Sequence, residues 1–337
     1  MAHELPPPAA MFQMVMGLWV SQAIGAAARL GVADHLVTGN RTAAELAPLV
    51  GADADALHRL LRALASVGVF SMQGRAFGLT PLGHTLRTGV PGSMRNIAAA
   101  ETDAAHWQSW GRFTDAIKAG RSTVREALGM EIWEYYATHP DDSAQFSRAM
   151  QDVSGIAIEP VLNGYSFPPA GHIVDVGGAH GALLRAILAH VPGAKGTLFD
   201  LPHVIESARP VVAESPVRDR LTLTPGSFFE QVPTGGDVYL LKHIIHDWND
   251  TESIRILRAV RDAMAGSARL LIVEMLLPPD ATPAPAQLLD LNMLTLVNGR
   301  ERTIDEYRTL LATAGLEMTR AIETPSPMVL VEAQRRD

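Results

Sequence analysis

Two stretches carry the residue types from which chemistry is built. In IVDVGGAHGALLRAILAHV, residues 173–191, a short β-branched run gives way to three glycines, and helical spacing then resumes. Glycines at a strand-to-helix turn admit positive φ and remove the Cβ that would block a ligand. The helix N-terminus that follows offers free N–H groups to an anion such as a carboxylate. About twenty residues beyond Gly177, Gly178 and Gly181, the run TLFD ends in Asp200, placed to accept both hydroxyls of a ribose. Together these residues point to an adenosine-type cofactor. In DVYLLKHIIHDWND, residues 237–250, Lys242, His243 and His246 follow an apolar run, and LLIVE ends a later one in Glu274. Near neutral pH an imidazole is partly available to take a proton. A carboxylate on its other nitrogen fixes the tautomer and stabilises the imidazolium. His246 is the candidate base, and the competing reading has it cap the helix that follows. His243 is a capping or ribose-contacting side chain. No histidine spacing with a third ligand supports zinc, so the site is expected to be metal-free.

The dinucleotide fingerprint needs G-x-G-x-x-G, but counted from Gly177 this chain has Ala179 and Ala182 in the second and third glycine positions. That disfavours an NAD-dependent oxidoreductase. With Asp175 on the strand before the turn, the arrangement D-x-G-G-x-x-G resembles the first motif of S-adenosylmethionine methyltransferases, where no pyrophosphate has to be cradled.

These residues need a scaffold, and the patterning supplies one. Strands are expected near 173–176, 196–200, 221–224, 237–241 and 269–274, with helices between them and a C-terminal pair of elements near 315–320 and 328–333. That is a doubly wound, mostly parallel sheet. Ligands bind beyond the carboxyl ends of such strands, so Gly177, Asp200, the loop after Leu223, residues 242–246 and Glu274 should converge. Earlier in the chain, Thr42 can cap AAELAPLV, Asp53 or Asp55 can cap ALHRLLRALASVGV, and VFSMQGRAFGLT makes two short strands around Gln73–Gly74. Helix, helix, hairpin is a winged helix. Its helix 56–67 carries Arg59 and Arg62 but is an ordinary amphipathic core helix without a dense basic patch, which favours an interaction or dimerisation module over a DNA reader. The segment 11–36 is apolar on more than one face, as in helices buried by a second subunit. Residues 1–10, rich in Pro and Ala, are expected to be disordered at the extreme end. From 91 to 154 the chain is helical and rich in aromatics (Trp107, Trp110, Phe113, Trp133, Tyr135, Tyr136, Phe146), and NGYSFPPAG makes a boundary.

Composition bounds the partners. The chain has 337 residues, 47% hydrophobic and 19% charged, with a formal net charge of −8. The length suits one large or two medium domains, and the acidic balance argues against nonspecific binding to nucleic acid or anionic membrane. Cysteine is absent, so neither disulfides nor thiolate sites arise. The start, MAHELPPPAAMF, is not a signal peptide, and no apolar run reaches the ~20 residues of a membrane span. A cytoplasmic protein is the expectation.

The motifs VDVGGAHG, FDLPHV, PGSFF, LKHIIHDW, LIVEMLLP and GRERT, with LTPLGHTL in the winged-helix region, together resemble one family. It is the O-methyltransferases with an N-terminal dimerisation domain, including plant caffeate-type and bacterial polyketide-tailoring enzymes. The resemblance spans nearly the whole chain. It implies a dimerisation domain over 1–90, a helical region lining the acceptor pocket over 91–165, and a Rossmann-like S-adenosylmethionine-binding domain over 166–337. It further implies a homodimer and a small hydroxylated aromatic or polyketide-like acceptor. His246 is implied as general base, flanked by Glu274 and Glu301. Gly177, Asp200, Leu201, Gly226, Ser227, Phe228, Lys242 and His243 are implied at the cofactor. Met150 and Ser154 fall where a family helix borders the cofactor, Met150 also facing the acceptor. Asp290, Met293 and Asn298 fall at the acceptor pocket. One position departs from the pattern, because Ser227 stands where the family usually has Asp. Losing a charge-assisted hydrogen bond there would cost about 1.5–3 kcal/mol of cofactor binding. The alternatives are methylation at N or C, a non-methylating reaction on the same fold, and a winged-helix DNA-binding regulator.

Overall fold

The computed structural model describes residues 5–336. The chain divides into two compact units, Met1–Gln108 with Tyr136–Val153 and Ser109–Tyr135 with Ser154–Asp337.

In the first unit a long helix, Pro7–Leu30, is started by prolines in its first turn and stopped by Gly31 in the left-handed conformation. The extreme end expected to be disordered falls partly on residues 1–4, which lie outside the described residues, and the helix already includes residues 7–10. It is also long and apolar enough, by length and composition, to cross a membrane. This corrects the expectation that no segment qualifies: scattered Gln and Ser interrupt the apolar run without interrupting the helix. Next come β1 (Arg41–Thr42), helices Ala43–Val50 and Ala54–Ser66, and the hairpin β2 (Phe70–Gln73) and β3 (Ala76–Leu79). Thr42 caps the first of these helices in a reciprocal box with Glu45, and Asp53, not Asp55, caps the second. The hairpin turns at Gly74, φ 61°. Leu46, Leu57, Leu61, Leu64, Phe70 and Phe77 fill the core between helices and hairpin. The winged-helix pattern is therefore present.

The second unit holds a seven-stranded sheet: β4 (His172–Val176), β5 (Lys195–Asp200), β6 (Leu221–Pro225), β7 (Val238–Lys242), β8 (Arg269–Met275), β9 (Leu316–Glu323) and β10 (Met328–Arg335). Their order is β6-β5-β4-β7-β8-β10-β9. The first five are mutually parallel, and β10 runs antiparallel to both β8 and β9. The C-terminal pair is thus a pair of strands, and it makes the sheet mixed at one edge. The strand order reverses between β4 and β7, which opens a crevice beyond their carboxyl ends. Fully buried Val, Leu and Ile on both sheet faces form two apolar clusters, one including Val174, Leu241 and Ile272 and the other Ile173, Leu240 and Leu271. Burial on both faces explains why these strands read as continuous apolar runs.

Candidate active site

The glycine turn after β4 is built as its composition demands. Gly177 has φ 73°, and a Cβ there would stand 2.5 Å from Ile244. Its N–H donates to the Phe199 carbonyl at 2.8 Å. Ala179 is held at φ 51° although it is not glycine, and its N–H donates to Asp200 Oδ2 at 2.8 Å. The Leu201 N–H takes Asp200 Oδ1 at 2.7 Å. Asp200 thus has both oxygens fixed by main chain, and each keeps a lone pair for a diol. Burial still pushes its carboxyl above the usual range, against those two N–H groups. Gly226 donates to the Asp200 carbonyl at 2.9 Å, and any Cβ on it would collide with the Phe199 ring. Phe228 stands beside Gly177 and meets Phe229 and Trp248 edge-on. Gly177, Asp200, Leu201, Gly226, Ser227 and Phe228 therefore line one corner. Ser227 is turned into its own loop, where Oγ accepts from the Phe229 N–H at 3.3 Å.

At the end of β7, burial pushes the Lys242 ammonium below its ordinary value, while Asp175, Glu274 and Asp247 hold it up. Burial likewise pushes Asp175 up to about 7, with Lys242 opposing. His243 sits at φ 54°. Burial, with Lys242 and His246 nearby, keeps its ring neutral.

His246 is the centre. Its Nδ1 is 2.6 Å from Glu301 Oε1, and its Nε2 is 3.5 Å from Asp247 Oδ1. Burial opposes charge on this imidazole, but Asp247, Glu301 and Glu274 outweigh it and push the pKa up to about 10. Glu274 does not reach the imidazole. One of its oxygens accepts the main-chain N–H groups of Ile244, Ile245 and His246 at 3.2, 2.7 and 3.2 Å, and the Tyr307 hydroxyl donates to the other. Glu274, expected to flank His246, meets it through the main-chain N–H groups of the turn that carries it, while Glu301 and Asp247 face the two ring nitrogens. The capping alternative for His246 also falls, because Asn249 caps helix Asp250–Ala263.

The loop 298–302 completes the clamp. Arg300 N–H donates to the His246 carbonyl at 2.8 Å, and a Cβ on Gly299 would lie 2.1 Å from that same oxygen. Arg302, 1% exposed, donates to the carbonyls of Ile245 and Trp248 at 3.1 and 2.8 Å and to Asp250. Asp290 Oδ1 accepts the Glu301 N–H at 2.8 Å. Asp290, expected at the acceptor pocket, thus also holds the main chain of Glu301, the partner of His246. Asn298, φ 59°, ends the helix Pro285–Leu296 in the left-handed conformation and accepts the Ser122 N–H at 3.3 Å. Its backbone turns the chain toward His246, and its amide oxygen is engaged by that contact. Met293 is buried on that helix. Met150 belongs to the first unit and Ser154 opens the second part of the other. Sequence reasoning missed Arg302 and Tyr307. Arg302 was visible in GRERT, but Tyr307 lay in an unremarkable amphipathic helix. Among the described residues no group of three or more His, Asp or Glu is arranged to hold a metal.

Comparison with known proteins agrees with this geometry. An O-methyltransferase domain model matches residues 110–317, and an O-methyltransferase dimerisation domain model matches residues 12–89. The chain is 39% identical to phenazine O-methyltransferase PhzM of Lysobacter antibioticus over 99% of this chain and 98% of that protein. It is 32% identical to phenazine-1-carboxylate N-methyltransferase of Pseudomonas aeruginosa over 96% of each. Among solved structures it resembles the O-methyltransferase NcsB1 from neocarzinostatin biosynthesis, in complex with S-adenosylmethionine and 2-hydroxy-5-methyl naphthoic acid. The TM-score is 0.80 and the identity 32%, over 94% of this chain and 96% of that one. The Gly177 cradle, which a Cβ would fill, and the diol-ready Asp200 fit that cofactor. Fold, glycine turn and both domain models lead to one conclusion: the chain belongs to the S-adenosylmethionine-dependent O-methyltransferases that carry an N-terminal dimerisation domain.

Proposed function

We propose that this chain methylates a hydroxyl of a small aromatic or polyketide-like natural product, with His246 as general base and Glu301 as the group that orients it. S-adenosylmethionine supplies an electrophilic methyl group. Asp200 would hold its ribose, Phe228 its adenine, and the turn at Gly177 would lie against its amino-acid end. His246 takes the hydroxyl proton on Nε2 while its Nδ1–H stays on Glu301 Oε1. Glu274, Arg302 and the loop 298–302 keep that imidazole in place, so that little of the barrier goes into alignment. A cation bound beside the ring lowers its pKa, which returns a strongly basic His246 toward the neutral form that a base needs.

The 2.6 Å contact between His246 and Glu301 carries this reading. It also favours a hydroxyl over an amine, although an N-methyltransferase is among the relatives. A neutral amine attacks with its own lone pair before it loses a proton, whereas a hydroxyl gains most from a buried base. The helix Pro7–Leu30 lies largely within the residues matched by the dimerisation model, which supports placing its apolar face in a homodimer instead of a bilayer. The test is product analysis: the full chain with S-adenosylmethionine and a panel of phenolic natural products, read by mass spectrometry and NMR. An O-methyl ether made by the wild type and lost in His246→Gln is the expected result. A methyl group on nitrogen or carbon, or full turnover by His246→Gln, would overturn the assignment.

A further inference from the structure

His243 has no task in the reaction described above. Its backbone is in the left-handed region at φ 54°, which a bulky L residue enters only with strain. Its main-chain N–H donates to the Val273 carbonyl at 3.2 Å, so the pairing of β7 with β8 runs one residue further and fixes its position. Its ring stands against that of His246, centroids 5.1 Å apart and planes inclined by 38°. Nε2 is shut off from solvent and has no hydrogen-bond partner among the described residues. Space alone would be filled better by an apolar side chain, which leaves no buried polar atom unsatisfied.

We propose that His243 is a specificity-determining contact to the acceptor, bonding a hydroxyl or amino group ortho to the hydroxyl that His246 deprotonates. The proposal rests on the reading of His246 as the base. The reacting oxygen must come within about 2.6–3.2 Å of His246 Nε2. A substituent on the neighbouring ring carbon then lies about one hydrogen-bond length from the reacting oxygen, and two imidazoles with centroids 5.1 Å apart can take one group each. A neutral imidazole has one donor and one acceptor nitrogen, which matches a hydroxyl or an amine. Nε2 faces a closed edge, so its contact with an acceptor requires a half-turn about χ2, which exchanges the edges of the ring. His243 follows β7 directly and has the ring of His246 as its neighbour.

The experiment titrates the full-length protein, saturated with S-adenosylhomocysteine, with 3,4-dihydroxybenzoate and with 4-hydroxybenzoate. The wild type should bind the ortho-substituted probe about tenfold more tightly, the size of one buried hydrogen bond. His243→Phe should bring the ratio close to one, and His243→Asn, which keeps a donor and an acceptor, should restore part of it. Each variant is compared with itself on two ligands, so a general loss of folded protein cancels. A wild-type ratio near one, an unchanged ratio in His243→Phe, or a loss confined to S-adenosylhomocysteine affinity overturns the proposal. The base assignment fails separately, if His246→Gln turns over acceptor as fast as the wild type.

Discussion

At the scale of single residues, the site places three carboxylates around one imidazole and gives each a different task. Asp247 and Glu301 flank the two ring nitrogens of His246, while Glu274 ties down the main chain that carries it. All three raise the imidazole pKa against the effect of burial. In the role proposed for it His246 must be neutral to act, so acceptor turnover should rise with pH through its pKa. Glu301→Gln removes one of the charges that hold this pKa up. The rising limb of kcat/KM against pH should therefore move to lower pH, while kcat falls about 10²-fold because the ring is less well oriented. A limb that stays in place or moves to higher pH would show that Glu301 does not set the charge of His246. The same residue-level logic applies to Ser227. Its hydroxyl is spent on the Phe229 N–H of its own turn, and an Asp can make that bond with one oxygen and keep the other for the cofactor. Ser227→Asp should tighten S-adenosylmethionine binding about tenfold in a calorimetric titration, in line with a regained charge-assisted hydrogen bond.

At the scale of elements, the precision of the site comes from a loop that folds back on the exit of β7. Helix Pro285–Leu296 ends, Asn298 turns the chain with a positive φ, and Gly299 lies against the His246 carbonyl. A single methyl group at Gly299 would meet that carbonyl inside contact distance. Gly299→Ala should therefore displace His246 and lower kcat at least about tenfold, with S-adenosylmethionine affinity kept, because the Gly177–Asp200 corner is not touched. Equal loss of cofactor affinity in that variant would mean that the two halves of the site are not independent. The same loop marks where the sequence stops being legible. The strand–glycine–helix turn and Asp200 could be read directly, since their spacing is local and period and punctuation report it. The winged helix was legible for the same reason, through Thr42, Asp53 and Gly74. The roles of Glu274, Asp290, Asn298 and Arg302 were not. Each depends on which main-chain atoms 11 to 176 residues away come to rest beside it, and no local pattern encodes that. Residue types and spacing picked out His246 and resemblance to a family added Glu301, but neither could say that Glu274 meets His246 through its backbone.

At the scale of the whole molecule, the helix Pro7–Leu30 sets the last problem. Its C-terminal half is anchored, with Gly25, Ala27 and Ala28 buried and a Cβ on Gly25 blocked by Thr102. Its N-terminal half is exposed, and the exposed residues include Met11, Phe12, Val15 and Leu18, with Met14 and Trp19 at 76% and 64%. A helix end this apolar gains nothing from water, and two or three turns do not persist by propensity alone. A second copy of the chain, bringing the same face, would bury both, as an isologous interface requires. Burial of each large side chain contributes roughly 1.5–3 kcal/mol, so a handful of them per subunit is enough to hold a dimer at micromolar concentration. The wild type should therefore sediment as a dimer, and its melting temperature should rise with protein concentration. The double substitution Leu18→Asp with Trp19→Glu places two charges in that interface and should leave a monomer whose melting temperature no longer depends on concentration. A variant that still sediments as a dimer would place the interface elsewhere on the chain. Partition of the wild type into lipid vesicles at micromolar concentration would assign the exposed face to a bilayer instead.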